Sequence, residues 1–128
     1  MKKLIGKKIN SVSINDDEDV LSFDTDQGKV NYCVYGDSWT ASWFSDIIGV
    51  SALLGGTITG VEKIDMDNYS VVPLSNMDDE IIAYGYKLTS DKGYTDIIFR
   101  NSCDLYGGWL SDYKDVLPDN MTMITKDF

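Results

Sequence analysis

Apolar and polar residues alternate along several short segments of the chain, which is the pattern of half-buried β-strands. Leu21 and Phe23 share one face of such a segment, and Val30, Tyr32 and Val34 share one face of the next. The pattern predicts an antiparallel sheet whose strands cover residues 8–14, 20–24, 29–35, 57–64, 81–88 and 94–100.

Two tetrapeptides that end in glycine separate neighbouring strands of this set. Residues 25–28 read Thr-Asp-Gln-Gly and residues 90–93 read Ser-Asp-Lys-Gly. Such sequences are typical of a type I turn followed by a left-handed glycine, which closes a hairpin and adds a bulge. We therefore predict two hairpins of the same construction.

The strands fall into two similar units. Residues 4–12 align without gaps with residues 53–61, an offset of 53 − 4 = 49, and residues 23–28 align with residues 88–93, an offset of 88 − 23 = 65. The difference, 65 − 49 = 16, predicts an insertion of loop composition in the second unit, near residues 66–80. We predict pseudo-repeats at 4–35 and 53–100, with chance similarity between two hairpins as the alternative.

The connector between the units, residues 40–54, has a different pattern. Its apolar residues at 43, 44, 47 and 48 have helical spacing, with Ser42 as a candidate cap and Gly49 as a candidate end. We predict a short helix here that covers one face of the sheet. With a C-terminal segment over 101–128 that ends in a last strand at 121–126, the chain reads as a single α+β domain, 1–128, mainly of antiparallel β-sheet.

Charge is the strongest compositional signal. Eleven Lys and Arg residues face 21 Asp and Glu residues, which gives a formal net charge of −10. Such a surface repels nucleic acid and anionic membrane and favours a basic protein partner, although solubility alone is the alternative explanation. Because no apolar run is long enough to cross a membrane and no leader opens the chain, we expect a cytoplasmic location.

The side chains that most enzymes use are scarce. The chain has no histidine, which removes the Ser-His-Asp and Cys-His arrangements. Cys33 and Cys103 are expected to be reduced thiols in the cytosol, with a single disulfide as the alternative. The acidic residues cluster at predicted turns, where water keeps their pKa ordinary, so a catalytic carboxylate pair is not expected. We predict no enzymatic activity, no metal and no cofactor.

Two groups of residues are candidates for binding. An acidic group at predicted turns suits a basic protein partner, and an aromatic group near strand ends and glycines suits a cleft or contact patch. For most of the aromatic residues, core packing is the alternative. The acidic group consists of Asp16, Asp17, Glu18, Asp19, Asp78, Asp79 and Glu80, and the aromatic group, with one cation, of Trp39, Trp43, Tyr86, Arg100, Tyr106 and Trp109.

Several segments resemble a family of small phage and prophage proteins that is catalogued as a domain of unknown function. They include Tyr-Gly-Asp at 35–37, Tyr-Gly-Tyr-Lys-Leu at 84–88 and Gly-Gly-Trp at 107–109, and the resemblance spans roughly residues 6–110. Where that family is expected to carry paired cysteines and a serine, this chain has Ser-Trp-Thr at 38–40. The resemblance implies a phage context, and hence the cytoplasm of a host cell, but no catalytic residue.

These observations favour two functions. The first is a phage-type protein that inhibits a basic, nucleic-acid-binding host defence protein by imitating the charge of DNA, as some inhibitors of CRISPR systems do. The alternative is a protein that binds or sequesters a nucleotide-type ligand in a cleft lined by Trp and Tyr, with Lys87 and Arg100 supplying positive charge. Direct nucleic-acid binding and membrane binding are not expected, and a homodimer is compatible with either function.

Overall fold

The computed structural model describes residues 1–36, 40–69, 81–102 and 108–128 and shows two antiparallel β-sheets. The strands, in chain order, are β1 (Ile9–Ile14), β2 (Val20–Thr25), β3 (Gly28–Tyr35), β4 (Ser42–Ile48), β5 (Ile58–Lys63), β6 (Ile82–Ser90), β7 (Gly93–Asn101), β8 (Trp109–Asp112) and β9 (Thr122–Met123). One α-helix, α1 (Val50–Leu53), and two 3₁₀ turns, Lys2–Leu4 and Met66–Asn68, complete the described elements.

The first sheet has the strand order β8-β3-β2-β1-β9, and the second has the order β4-β7-β6-β5. All six strands predicted from alternation are present, and β9 lies inside the predicted last strand. β8 was not predicted. The α+β assignment is wrong in its helical part, because the described helix is a single turn of four residues and the architecture is mainly β.

The predicted helix over the first half of the connector is also wrong, because residues 42–48 form β4. Within β4 the pairing with β7 shifts by one residue between Phe44 and Asp46, which marks a β-bulge at Ser45. A bulge adds one residue to a strand, so residues three apart point to the same face. Phe44 and Ile47 are accordingly both fully buried, and this spacing imitates the period of a helix.

Gly49 was predicted to end a helix over residues 42–48, but it follows strand β4 and precedes α1. Its φ of 92° places it in the left-handed region directly before Val50, the first residue of α1. A side chain at Gly49 would also meet the backbone carbonyl oxygen of Tyr94. The glycine therefore turns the chain out of β4 where β7 passes close by.

The hydrophobic core lies between the two sheets. Phe23 and Tyr32 of the first sheet meet edge to face, with ring centroids 6.0 Å apart, and Phe44 and Phe99 of the second sheet meet similarly at 6.3 Å. Such geometries add about 0.5–1.5 kcal/mol per pair beyond area burial. The buried residues of this core are Leu4, Ile9, Val12, Leu21, Phe23, Tyr32, Val34, Phe44, Ile47, Val50, Leu53, Ile58, Leu88, Ile97, Phe99 and Ile124.

The two three-strand meanders, β1-β2-β3 and β5-β6-β7, meet through paired backbone hydrogen bonds. An isolated antiparallel bridge joins Lys8 to Thr57. Around it, each donor in one meander has a counterpart 49 residues away that donates in the opposite direction. The pairs are Gly6 N to Ile58 O (2.7 Å) with Gly55 N to Ile9 O (2.7 Å), and Ile9 N to Gly56 O (2.9 Å) with Ile58 N to Lys7 O (3.0 Å).

The hairpin turns of the two meanders are built alike, as predicted. Gly28 and Gly93 have φ values of 104° and 139°, the left-handed region that glycine tolerates. Asp26 Oδ1 accepts the amide of residue 8 at 3.0 Å, and Asp91 Oδ1 accepts the amide of residue 57 at 2.8 Å. Each turn therefore anchors the start of its own meander.

Across the described ranges, no helix combines the length and the apolar character that a membrane crossing requires.

Candidate functional site

The ends of several strands meet around the buried side chain of Asn101, at what we call the loop end of the molecule. The Asn101 amide nitrogen donates to Ser42 Oγ and, at 3.3 Å, to Thr40 Oγ1. Gly36 and Gly108 pack against the same side chain. A Cβ at Gly108 would lie 3.0 Å from Asn101 Cβ, and one at Gly36 would overlap the amide nitrogen. These two glycines thus permit the close approach of three chain segments.

Two aromatic side chains are exposed at the loop end. Tyr35 and Trp109 lie directly opposite each other on β3 and β8, with ring centroids 5.7 Å apart at an interplanar angle of 34°. Their exposed fractions are 50% and 45%. Large aromatic residues on a protein surface are frequent anchors of binding interfaces. We call these two residues the aromatic pair.

An acidic turn, residues 16–19, follows β1 and is held by the side chain of Asn15. The Asn15 Oδ1 atom accepts the amides of Asp19 at 3.0 Å and Val20 at 2.9 Å. The Asn15 amide nitrogen donates to the Asp19 carboxylate at 2.6 Å. Glu18 has a φ of 58°, which is uncommon for a residue with a side chain. The turn therefore has a specific conformation, imposed by one buried amide side chain.

The acidic turn lies at the loop end, between the two sheets. The Val34 amide donates to the Asp19 carbonyl at 3.0 Å, and the Phe44 amide donates to the Glu18 carbonyl at 2.7 Å. The side chains at positions 16–18 remain exposed. Because Val34 directly precedes Tyr35, the acidic turn is a neighbour of the aromatic pair.

The described members of the predicted aromatic group do not form one continuous patch. Trp43 and Arg100 lie opposite each other on β4 and β7, so their side chains share the outer face of the second sheet. Tyr86 stacks with Phe99 on the inner face of that sheet, with centroids 6.5 Å apart. Trp109 lies on β8 of the first sheet. The remaining predicted residues, Trp39, Tyr106, Asp78, Asp79, Glu80 and Cys103, lie outside the described residues.

Arg100 does not have the exposed position expected of a residue that meets an anionic ligand. Only 2% of its surface is accessible. Its Nε donates to Ser45 Oγ at 3.1 Å, and its guanidinium lies 3.5 Å from Asp46 Oδ2. Arg100 is thus held by the bulge of β4, which leaves it no surface for an external ligand.

A groove with aromatic walls opens near the loop end, where the edge strand β8 approaches β6. Tyr84 stacks on Phe99 with centroids 4.9 Å apart and an interplanar angle of 15°, and the Gly108 amide donates to the Tyr84 hydroxyl at 3.0 Å. Its volume is about 290 Å³, at the lower limit of ligand pockets. We call this the aromatic groove, and its lining is Lys63, Ile64, Met66, Tyr84, Gly85, Tyr86, Phe99, Gly108, Trp109 and Leu110.

A second cleft, of about 270 Å³, has a different character. Its lining brings four lysines together with a single carboxylate. We call it the lysine cleft, and its lining is Lys3, Lys7, Lys29, Val30, Asn31, Asp112, Tyr113 and Lys114. Lys29 stands at the start of β3, so at about 3.3 Å per residue it lies roughly 17 Å from the Val34 amide that holds the acidic turn.

The titratable groups show no sign of an acid–base pair in the part of the chain that the structure describes. The carboxyls with a shifted pKa, Asp112 and Asp127, are both shifted downward, mainly by hydrogen bonds from Lys3 and from the Val50 amide. Burial raises the pKa of the Cys33 thiol, which makes the thiolate less accessible. No cluster of three or more Cys, Asp or Glu residues suited to a metal ion occurs within the same described ranges.

One carboxylate oxygen, Asp96 Oδ1, is buried. It has no hydrogen-bond partner in the described ranges, whereas Asp96 Oδ2 accepts the Tyr69 hydroxyl at 2.8 Å. Burial, followed by this hydrogen bond, raises the pKa of Tyr69 to about 12. We interpret this hydrogen bond as structural, because it holds the residue that follows the 3₁₀ turn Met66–Asn68 against the outer face of the second sheet.

The fold and these surfaces define a small two-sheet antiparallel β-protein whose exposed chemistry is aromatic and charged. More specifically, the chain belongs to the family described as Domain of unknown function (DUF7448), which matches residues 2–111. No curated protein matches the chain, and no solved structure does.

Proposed function

We propose that this chain is a binding protein without catalytic activity and that its loop end contacts a basic partner. The observation that carries the proposal is the position of the acidic turn, residues 16–19, beside the aromatic pair. Aromatic anchors supply most of the binding energy of many interfaces, and surrounding charges steer the encounter and select the partner. The loop end offers both on one surface.

The distribution of lysines strengthens the electrostatic part of the proposal. The lysine cleft contains four of the eleven cationic residues but only one of the 21 acidic residues. The rest of the chain therefore carries seven cationic and 20 acidic residues, a formal charge of 7 − 20 = −13. A field of this sign attracts a basic groove and repels nucleic acid and anionic membrane.

A partner that normally binds DNA or RNA fits this surface best. Its basic groove releases counterions when it binds an array of phosphates, and carboxylates on a rigid domain can take the place of those phosphates. Combined with the resemblance to phage and prophage proteins, this favours a host defence nuclease as the target. We accordingly propose inhibition by DNA mimicry in the cytoplasm of the host cell.

Salt dependence tests the electrostatic part of this proposal. A fluorescently labelled oligo-arginine peptide should bind the chain, and the affinity should fall about tenfold or more between about 50 mM and about 200 mM salt. Replacing Asp16, Asp17 and Glu18 together by their amides should reduce both the affinity and the salt slope. An affinity that does not change with salt would contradict the proposal.

A matched pair of aromatic variants tests the position of the surface. Trp109→Ala should reduce the affinity for a nuclease target about tenfold or more, as loss of an interface anchor does. Tyr94→Ala removes an even more exposed aromatic side chain, 65% accessible, just after the hairpin turn of the second meander. Equal losses in the two variants would argue against the loop end as the contact surface.

A second candidate function is binding of a small ligand in the aromatic groove, and its support is the parallel stack of Tyr84, Phe99 and Tyr86 beside Lys63. A planar base with an anionic substituent suits such a lining. Calorimetric titration with nucleotides and cyclic nucleotides tests this, with Tyr86→Ala as the groove variant and Tyr94→Ala as the control. Failure of every ligand to release or absorb heat would count against this function.

We also infer that the two meanders are one structural unit used twice, related by a pseudo-twofold axis. The support is the set of paired hydrogen bonds with an offset of 49 residues around Lys8 and Thr57, together with the matched turns that end at Gly28 and Gly93. Separate expression of residues 1–36 and residues 49–102, which contain the two meanders, would test whether the two segments associate.

A further inference from the structure

The lining of the lysine cleft has an excess of positive charge. Lys3 Nζ lies 2.6 Å from Asp112 Oδ2, which forms the cleft's single ion pair among the residues that the structure describes. Over those same residues, Lys7, Lys29 and Lys114 make no ion pair within 4 Å, and Asp24 lies directly opposite Lys29 on the adjacent strand β2. With four lysines and one carboxylate, the lining carries a formal charge of 4 − 1 = +3.

A neutral side-chain amide accompanies the lysines. The side chain of Asn31 lines the cleft, and its Oδ1 atom accepts the Ser22 hydroxyl at 2.6 Å. With Oδ1 accepting from Ser22, the two N–H groups of Nδ2 make no hydrogen bond to any described residue and can act as donors. The lining thus combines four lysine ammonium groups, one of them paired with Asp112, with a side-chain amide.

We propose that the lysine cleft binds a small, multiply charged oxyanion of the phosphate type. Ammonium groups act as point charges toward phosphate oxygens, and charge-assisted hydrogen bonds are roughly twice as strong as neutral ones. A volume of about 270 Å³ accommodates a phosphate together with a small organic group.

The charge of the rest of the molecule selects a small ligand over a polyanion. Beyond the cleft the formal charge is −13, so an extended nucleic acid or an anionic membrane would meet net repulsion from the rest of the molecule. A compact anion interacts mainly within the screening length, about 8 Å at physiological salt, and so responds chiefly to the lysines around it. This site is separate from the loop end and does not depend on the function proposed there.

Titration of the full chain with inorganic phosphate tests the proposal. In ¹H–¹⁵N NMR spectra, the Asn31 side-chain amide and the backbone amides of residues 29–31 and 112–114 should shift saturably at millimolar or lower phosphate. The double variant Lys29→Gln with Lys114→Gln should raise the dissociation constant about tenfold or more. The double variant Lys92→Gln with Lys126→Gln makes the same charge change elsewhere and should leave the constant within about twofold.

Two further titrations identify the source of the oxyanion. Adenosine monophosphate, compared with adenosine and with inorganic phosphate, shows whether the cleft prefers a phosphate ester or the free ion, and either preference supports the proposal. Shifts that increase linearly without saturation, or equal weakening in both double variants, would overturn it. Asn31→Leu keeps every charge, and unchanged phosphate binding in this variant would exclude the amide from the site.

Discussion

The two meanders differ much less in their strands than in the links between them. In β1-β2-β3, Val12, Phe23 and Val30 lie side by side, and in β5-β6-β7 the same places are taken by Val61, Leu88 and Thr95. Each meander has a register shift after its first isoleucine, Ile9 or Ile58, and each closes its hairpin with a left-handed glycine. The shared features are those that local sequence patterns specify.

The two meanders differ in the links between their strands and in the strands that flank them. The first meander joins β1 to β2 by the short acidic turn and gains β8 and β9 at its edges, whereas the second joins β5 to β6 through residues 64–81 and gains β4. The aromatic pair and the acidic turn both belong to the first sheet. The two meanders therefore resemble each other in strand pairing but carry different links and flanking strands, and the binding surface that we propose lies among these differences.

Matched core truncations in the two meanders should have the largest effects on the free energy of unfolding. Phe23→Ala and Leu88→Ala remove equivalent, fully buried side chains from the two meanders. We expect losses of about 3–5 and about 2–5 kcal/mol in the free energy of unfolding, because each leaves a cavity in a close-packed core. Urea denaturation monitored by tryptophan fluorescence measures both. A cost below about 1 kcal/mol at either site would show that this meander lies outside the common core.

Matched glycine substitutions in the turns should have intermediate effects. Gly28→Ala and Gly93→Ala place a side chain in the left-handed region, at a cost of about 1–2 kcal/mol each. The second should cost more, because its Cβ would lie 3.3 Å from Ala52 Cβ. Gly60→Ala is the control, since no strained φ is involved and the added Cβ would make ordinary contact with Thr89 at 3.8 Å. Equal destabilisation by all three would contradict the turn assignment.

The late ionisation of two tyrosines, Tyr32 and Tyr69, should make the stability of the protein depend on pH in the alkaline range. Burial raises the pKa of Tyr32 to about 12, with Asp112 contributing less, and burial with the Asp96 bond raises the pKa of Tyr69 to about 12. Because both folded-state values exceed the ordinary pKa of about 10, the unfolded chain loses these protons first. Stability should therefore be fully present below pH 10 and fall as the pH rises from about 10 to about 12.

Ultraviolet absorbance of the folded chain measures these ionisations directly. Tyr32→Phe and Tyr69→Phe should each remove one late-titrating phenol from the curve and reduce the alkaline loss of stability. If Tyr32 or Tyr69 titrated near pH 10, its Phe variant would lose part of the absorbance change near pH 10 and not near pH 12. That result would contradict the raised pKa assigned to that tyrosine.

The smallest effect is expected from Tyr32→Phe at neutral pH. The Tyr32 hydroxyl is buried and has no hydrogen-bond partner in the described part of the chain. Removing an unsatisfied hydroxyl without changing the ring should leave stability unchanged or raise it by up to about 1 kcal/mol. Thermal unfolding measures this, and a loss above about 1 kcal/mol would show that the hydroxyl has a partner, such as a bound water.

The candidate surfaces were only partly predictable. The acidic residues at positions 16–19 were predicted to lie at a turn, and the structure places them there. The close approach of Gly36 and Gly108 was not predicted, because it depends on Asn101, whose sequence context is an ordinary strand end and carries no signal. Likewise, nothing in the local pattern of Lys7, Lys29 and Lys114 predicts that they line one cleft, because strand pairing alone brings them together.

The sequence by itself determined the strands of both meanders and their glycine turns, because side-chain alternation and backbone preferences act within a few residues. It did not determine that residues 42–48 form a strand, since a bulge at Ser45 gives the apolar residues a helical period. It also did not reveal that β8 pairs with β3 and sets Trp109 beside Tyr35. Those features depend on hydrogen bonds between segments far apart in the chain, which only the tertiary structure decides.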